Sequence, residues 1–69
     1  MDKWKEITNF CDEYKVPKQI VTNYLDAIQI GDIIMMESYL SILYNQCPKR
    51  LHSDLKKDLN ELAKDYFNV

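Results

Sequence analysis

Three residues cut this chain into segments that read as helices: Pro17, Gly31 and Pro48. Between them apolar side chains recur every three or four positions, the spacing that lines one face of an α-helix. Trp4, Ile7, Cys11 and Tyr14, with Phe10 beside them, predict a helix over 3–15. Pro17 has a fixed φ and no N–H, which is harmless at a first helical position, so a second helix is expected from there to about Ile30. It would bury Ile20, Val21, Tyr24, Leu25 and Ile28. Gly31, the single glycine, suits the left-handed residue that ends such a helix, and Asp32 is an N-cap for a third.

That third segment carries Ile33, Met36, Leu40, Leu43 and Cys47 on one stripe, with Ile34, Met35, Tyr39 and Ile42 around the side. A helix apolar over so much of its girth is seldom satisfied by one neighbour, so it reads as the centre of a bundle or a dimer seam. Pro48 closes it, and "CPKRLH" reads as a short basic loop. Ser53 and Asp54 are expected to cap and charge a fourth helix whose Leu51, Leu55, Leu59, Leu62 and Tyr66 face inward, with Lys57 and Glu61 paired on its solvated side. The expectation is one all-α domain over residues 1–69: a small bundle of about four helices with short connections and a helical hairpin at the N-terminus.

Size and charge narrow the function. A chain of 69 residues encloses only a small core, yet aromatic residues make up 12% of it, so some rings are expected at an interface. No apolar run approaches the roughly 20 residues that span a bilayer. Eleven Asp and Glu against nine Lys and Arg leave a formal −2, which excludes a chain-wide cationic field. With no leader read before the charged "MDKWKE", a reducing cytoplasm is expected, in which Cys11 and Cys47 are free thiols. A composition rich in Lys, Asn, Ile and Tyr suits a low-GC bacterium or its phage.

Constellations for chemistry are thin. Cys11, Cys47 and His52 lack the close-set ligand pairs of a zinc site, and both thiols fall on apolar stripes where cysteine packs as a small hydrophobe. His52 beside Cys47 resembles a base and nucleophile couple without an orienting third group or an oxyanion donor. No catalytic residue, metal ligand or cofactor site is therefore assigned. Lys49, Arg50, His52, Lys56 and Lys57 form a local positive cluster, read as a solvated helix start with an acidic-partner contact as the second reading.

Residues 4–28 support two resemblances. Phe10, Cys11, Tyr14, Val16, Val21 and Tyr24 fill the buried slots of a helix-turn-helix, and Lys18, Gln19, Thr22 and Asn23 stand where such a motif contacts DNA. Lys15 occupies the place where that motif usually has Gly. Counting Lys3, Lys5, Lys15 and Lys18 against Asp2, Glu6, Asp12, Glu13 and Asp26 leaves this region at −1, little for phosphates to meet. Trp4, Ile7, Cys11, Val16, Val21, Tyr24 and Leu25 also match, without a gap, the apolar register that resembles the paired-helix dimerisation module of the Sin family, shared by a small antirepressor and the repressor it captures. That resemblance implies a hairpin whose buried residues interleave with those of a partner subunit.

Together these readings point to a small non-enzymatic regulator, a homodimer, that binds and inhibits or sequesters another protein such as a transcription regulator. Trp4, Ile7, Tyr14, Val21 and Tyr24 are the expected hairpin seam, and Met36, Leu40 and Leu43 the expected central contact. A DNA-binding regulator acting through Lys18, Gln19, Thr22 and Asn23 is the alternative, and a structural subunit of a larger assembly is the second alternative.

Overall fold

The computed structural model describes residues 3–67. They form α1 (Lys3–Tyr14), α2 (Lys18–Ile30), α3 (Ile33–Asn45), a 3₁₀ turn at Lys49–Leu51 and α4 (His52–Phe67). No strand occurs among the described residues, and the molecule is a small helical bundle. None of these helices is long and apolar enough to cross a membrane.

The first two helices end in the same way. After α1 the chain turns at Lys15, with φ 58°, and the Val16 N–H reaches back to the Cys11 carbonyl at 2.9 Å. After α2 it turns at Gly31, with φ 75°; the Gly31 N–H bonds the Ile28 carbonyl at 3.1 Å, and the Asp32 N–H bonds Ala27 at 3.0 Å. A left-handed residue followed by this long reach-back is the Schellman close, which satisfies carbonyls that the helix leaves over. Its apolar contact is present in the first case, because Val16 and Cys11 are both buried. Asp32 then caps α3 as expected, its carboxylate accepting from the Met35 N–H at 3.1 Å.

Pro17 stands one place earlier than the sequence suggested. It is the N-cap of α2, extended at ψ 131°, and its carbonyl accepts from the Ile20 N–H. The fourth helix also differs. "CPKRLH" is not an open loop: Pro48 starts a 3₁₀ turn that runs directly into α4 at His52, so Ser53 lies inside the helix rather than capping it.

Each helix sends at least one fully enclosed side chain to the centre, among them Ile7 from α1, Leu25 from α2, Leu43 from α3 and Leu59 from α4. Burying such a side chain stabilises by about 1.5–3 kcal/mol, so all four helices are tied to one shared core. Cys11, Val16, Val21, Tyr24, Leu55, Leu62 and Ala63 complete this core. Cys11 packs here as a small hydrophobe, and burial pushes its thiol pKa up.

Chain order does not decide the neighbours. The broadest helix-to-helix contact joins α2 and α3, which fold back on one another across Gly31 and Asp32, while α1 lies mainly along α4. The expected N-terminal hairpin is thus a corner at Lys15–Pro17 whose apolar residues close within one chain. α2, touching α3 and α4, and α4, touching α1 and α2, occupy the middle. α3 is not the central helix. Tyr66, expected inside, is exposed, and Glu61 is held by α1 rather than paired with Lys57.

That last contact is a small ionic clamp. Lys3 Nζ lies 2.9 Å from Glu6, 3.2 Å from Asp58 and 2.9 Å from Glu61, tying the start of α1 to α4. The three carboxylates, Glu6 and Glu61 foremost, hold the ammonium well above its ordinary pKa, and the Lys3 hydrogen bond holds the Glu61 carboxyl below its own.

Candidate functional site

α3 is the helix whose sequence and surroundings disagree. Glu37 is its only charged residue, yet it encloses Leu43 alone. Met36, Tyr39, Leu40 and Tyr44 are half-buried against the core. Ile34, on the side away from Leu43, is 78% exposed; Ile33 on one flank is 65% exposed, and Met35 and Ile42 on the other 40% each. Ile30, at the last turn of α2 beside the same corner, is 72% exposed. Single exposed apolar residues are ordinary, but five large ones between Ile30 and Ile42 are a concentration of the kind found at interaction surfaces.

The middle of this face is small and polar in a manner that does not oppose burial. Ser38 lies one turn after Ile34 and one turn before Ile42, and its hydroxyl donates to the Ile34 carbonyl at 3.0 Å. A hydroxyl already satisfied within its own helix can be covered without losing a hydrogen bond to water.

The residues expected at an interface fall elsewhere. Ile7, Val21, Tyr24 and Leu43 are core residues of the single chain, at most 2% exposed. Tyr14, whose ring lies 5.0 Å from Phe10, is half-buried, as are Met36 and Leu40. Only Trp4 of the eight is exposed, at 40%. It lines an open cleft of about 450 Å³ with Lys3, Thr22, Leu25, Leu62, Asp65 and Tyr66. Ile7, Val21 and Tyr24 are covered within the single chain, where α1 packs on α4 and α2 on both α3 and α4. Ile30, Ile33, Ile34 and Ile42 take over as the accessible apolar set. Their signal in the sequence was the apolar excess of the third segment, which showed two apolar sides without saying which turned inward.

The four DNA-contact candidates have separate surroundings within the chain. Lys18 Nζ pairs with Asp12 at 3.4 Å. Gln19 Nε2 donates to Asn23 Oδ1 at 3.0 Å, and Thr22 lines the Trp4 cleft. One observation does accord with the helix-turn-helix resemblance: Lys15, at the place where that motif usually has Gly, holds the left-handed backbone that glycine favours.

Cys47 and His52 share an acceptor. His52 Nε2 lies 2.9 Å from the Tyr44 carbonyl, with its ring stacked on the Tyr44 ring at 4.2 Å, and Cys47 Sγ donates to the same carbonyl at 3.8 Å. Since a carbonyl only accepts, His52 Nε2 carries the proton there. Both groups cap the end of α3, and His52 ties it to α4. Burial pushes the Cys47 thiol up, away from the thiolate that nucleophilic chemistry needs. Among the described residues no group of three or more His, Cys, Asp or Glu side chains is placed to hold a metal ion. Lys49, Arg50, Lys56 and Lys57 are exposed around the start of α4, where Lys56, Lys57 and Lys64 border a shallow groove.

No family model, curated protein or solved structure matches this chain.

Proposed function

We propose that this chain is a small non-enzymatic regulatory protein that binds another protein, such as a transcription regulator, and inhibits or sequesters it, with the outward face of α3 as the principal contact. The observation that carries the reading is the apolar corner of Ile30, Ile33 and Ile34, continued along α3 to Ile42. Leaving four isoleucines and a methionine in water forgoes the free energy that covering them would release, about 25 cal/mol per Å². The chemistry of the remaining surface supports binding rather than turnover, since burial pushes the Cys47 thiol up and the one histidine is engaged as a helix cap.

DNA binding through α2 is the second reading, favoured by the left-handed Lys15 at the corner. Charge opposes it. Residues 1–29 carry four Lys against five Asp and Glu, and Lys18 is already paired with Asp12.

One experiment separates the two. The tagged chain, an α3 variant (Ile33→Glu with Ile34→Glu) and an α2 variant (Gln19→Ala with Asn23→Ala) are used in parallel to capture proteins from a lysate of the source organism and in a DNA mobility-shift assay. The proposal expects one protein to be recovered by the wild type and the α2 variant and lost by the α3 variant. Recovery that ignores the α3 change, or a DNA shift abolished by the α2 change, overturns it.

A further inference from the structure

The basic and acidic residues of α4 are sorted onto different stripes. Ser53, Lys56, Lys57, Asn60 and Lys64 recur every three or four residues on the solvated side, and all are exposed. Asp54, Asp58, Glu61 and Asp65 form the next stripe round the helix, on the side of α1. Lys49 and Arg50, exposed in the 3₁₀ turn, stand at the start of the basic stripe.

The Lys3 clamp keeps the two apart. Glu61 has Lys57 one turn before it, the spacing at which opposite charges pair along a helix. Its carboxylate instead lies 2.9 Å from Lys3, and the same ammonium holds Asp58 at 3.2 Å. One lysine of α1 thus engages three carboxylates, and Lys49, Arg50, Lys56, Lys57 and Lys64 make no ion pair among the described residues. A chain with a formal −2 therefore carries a local positive surface. Ser53 and Asn60 add hydroxyl and amide donors between the ammonium groups, along a shallow groove that runs about 16 Å from Ser53 to Lys64.

A row of donors and positive charge is complemented by carboxylates, which only accept. A nucleic-acid backbone is anionic too, but its phosphates extend past the width of one stripe, and Asp54 and Asp65 stand alongside to oppose them. An acidic helix about 10 Å across can lie along the lysines with its carboxylates turned away from that flank. The stripe also reaches α3: Lys56 and Asn60 share a cleft of about 220 Å³ with Ile33, Met36 and Glu37. A protein that covers the exposed Ile33 is thereby brought within reach of Lys56.

We propose that the basic stripe of α4 docks an acidic segment of the protein that this chain binds, with carboxylates paired to Lys56, Lys57 and Lys64 and, at the start of the helix, to Lys49 and Arg50. The proposal rests on reading the chain as a protein-binding regulator and names the charge of what it binds. Exposed ion pairs dominate the contact, so it is weak by itself and falls with added salt.

Fluorescence anisotropy tests it with three labelled probes: a glutamate-rich peptide, the same peptide with glutamine in place of glutamate, and a DNA duplex of equal charge. Each is titrated with the wild type and with a variant carrying Lys56→Gln, Lys57→Gln and Lys64→Gln. The wild type is expected to bind the glutamate peptide and not the glutamine one, and the variant to bind it about tenfold more weakly or less. These side chains face solvent, so circular dichroism of the variant should match the wild type. A glutamate peptide that the wild type does not bind, that the variant binds equally well, or that binds less tightly than the duplex overturns the proposal. In the lysate capture, full recovery of the protein by the lysine variant together with its loss by the α3 variant overturns the stripe and leaves the wider reading in place. Peptide binding that depends on the three lysines supports the stripe even where capture ignores the α3 change.

Discussion

Lys15 and Gly31 hold the same left-handed backbone in the same place, one residue past the end of two successive helices, at φ 58° and 75°. One is the residue type suited to that conformation and the other is not. A side chain there costs roughly 1–2 kcal/mol, because Cβ crowds the following carbonyl.

Lys15→Gly should therefore stabilise the fold. The relief is partly offset by the greater freedom glycine gives the unfolded chain, leaving a gain of about 0.5–1 kcal/mol. Gly31→Ala should cost about 1 kcal/mol from backbone strain alone, since no atom lies within 4 Å of an added Cβ. Urea unfolding midpoints measure both; a destabilised Lys15→Gly would contradict the account of the first corner.

The Lys3 clamp predicts how stability follows pH. The Glu61 carboxyl is held low, so its contribution is present above the ordinary glutamate value of about 4.3 and lost as pH falls through the lower folded value. The Lys3 ammonium is held high, so its contribution is complete below about 10.5 and lost only as pH rises through the raised folded value. Lys3→Met should thus lower the urea midpoint most at neutral pH, where Glu6, Asp58 and Glu61 are left to repel one another. The difference from wild type should close in strong acid. A constant difference across pH would mean that Lys3 contributes through its methylene stem and not its charge.

The two sides of α3 should respond oppositely to truncation. Leu43→Ala, at a position with no exposure, should cost about 2–5 kcal/mol. Ile34→Ala, at a position 78% exposed, should change the monomer's stability by less than about 0.5 kcal/mol. Chemical denaturation makes this comparison.

His52 joins α3 to α4 by a ring stack and a hydrogen bond to the Tyr44 carbonyl. His52→Phe keeps an aromatic ring and loses the bond, which should cost about 1 kcal/mol. His52→Ala should cost more. Nitrogen chemical shifts at neutral pH should show the Nε2-protonated tautomer, and the opposite tautomer would refute the assigned bond.

Much of the fold was legible in the sequence. Pro17, Gly31 and Pro48 mark the connections, Asp32 is the N-cap it promised to be, and the inward positions of α1, α2 and most of α4 follow the helical period. What escaped was tertiary. Glu61 was paired with its local neighbour Lys57 because a sequence shows only local neighbours, whereas the fold brings Lys3 across from α1. Ile7, Val21 and Tyr24 suggested an intermolecular seam because a two-helix hairpin leaves them uncovered, and α3 and α4 supply the cover. On α3 Ile34 lies among Glu37, Ser38, Ser41 and Asn45 on the side away from Leu43, so the period marks the Leu43 side as inward but does not say how far the flanking Ile33, Met35 and Ile42 are covered. The neighbours set that, and it determines which residues remain available for binding.

The central claim is that the outward face of α3 is where this molecule makes contact. Amide nitrogen–proton spectra of the labelled chain, recorded with and without the protein captured from the lysate, test it residue by residue. The account predicts shifts centred on Ile30 and on the stretch from Ile33 to Ile42, abolished when Ile33 and Ile34 are both changed to Glu. Shifts that instead gather at Lys18–Asn23 would contradict it.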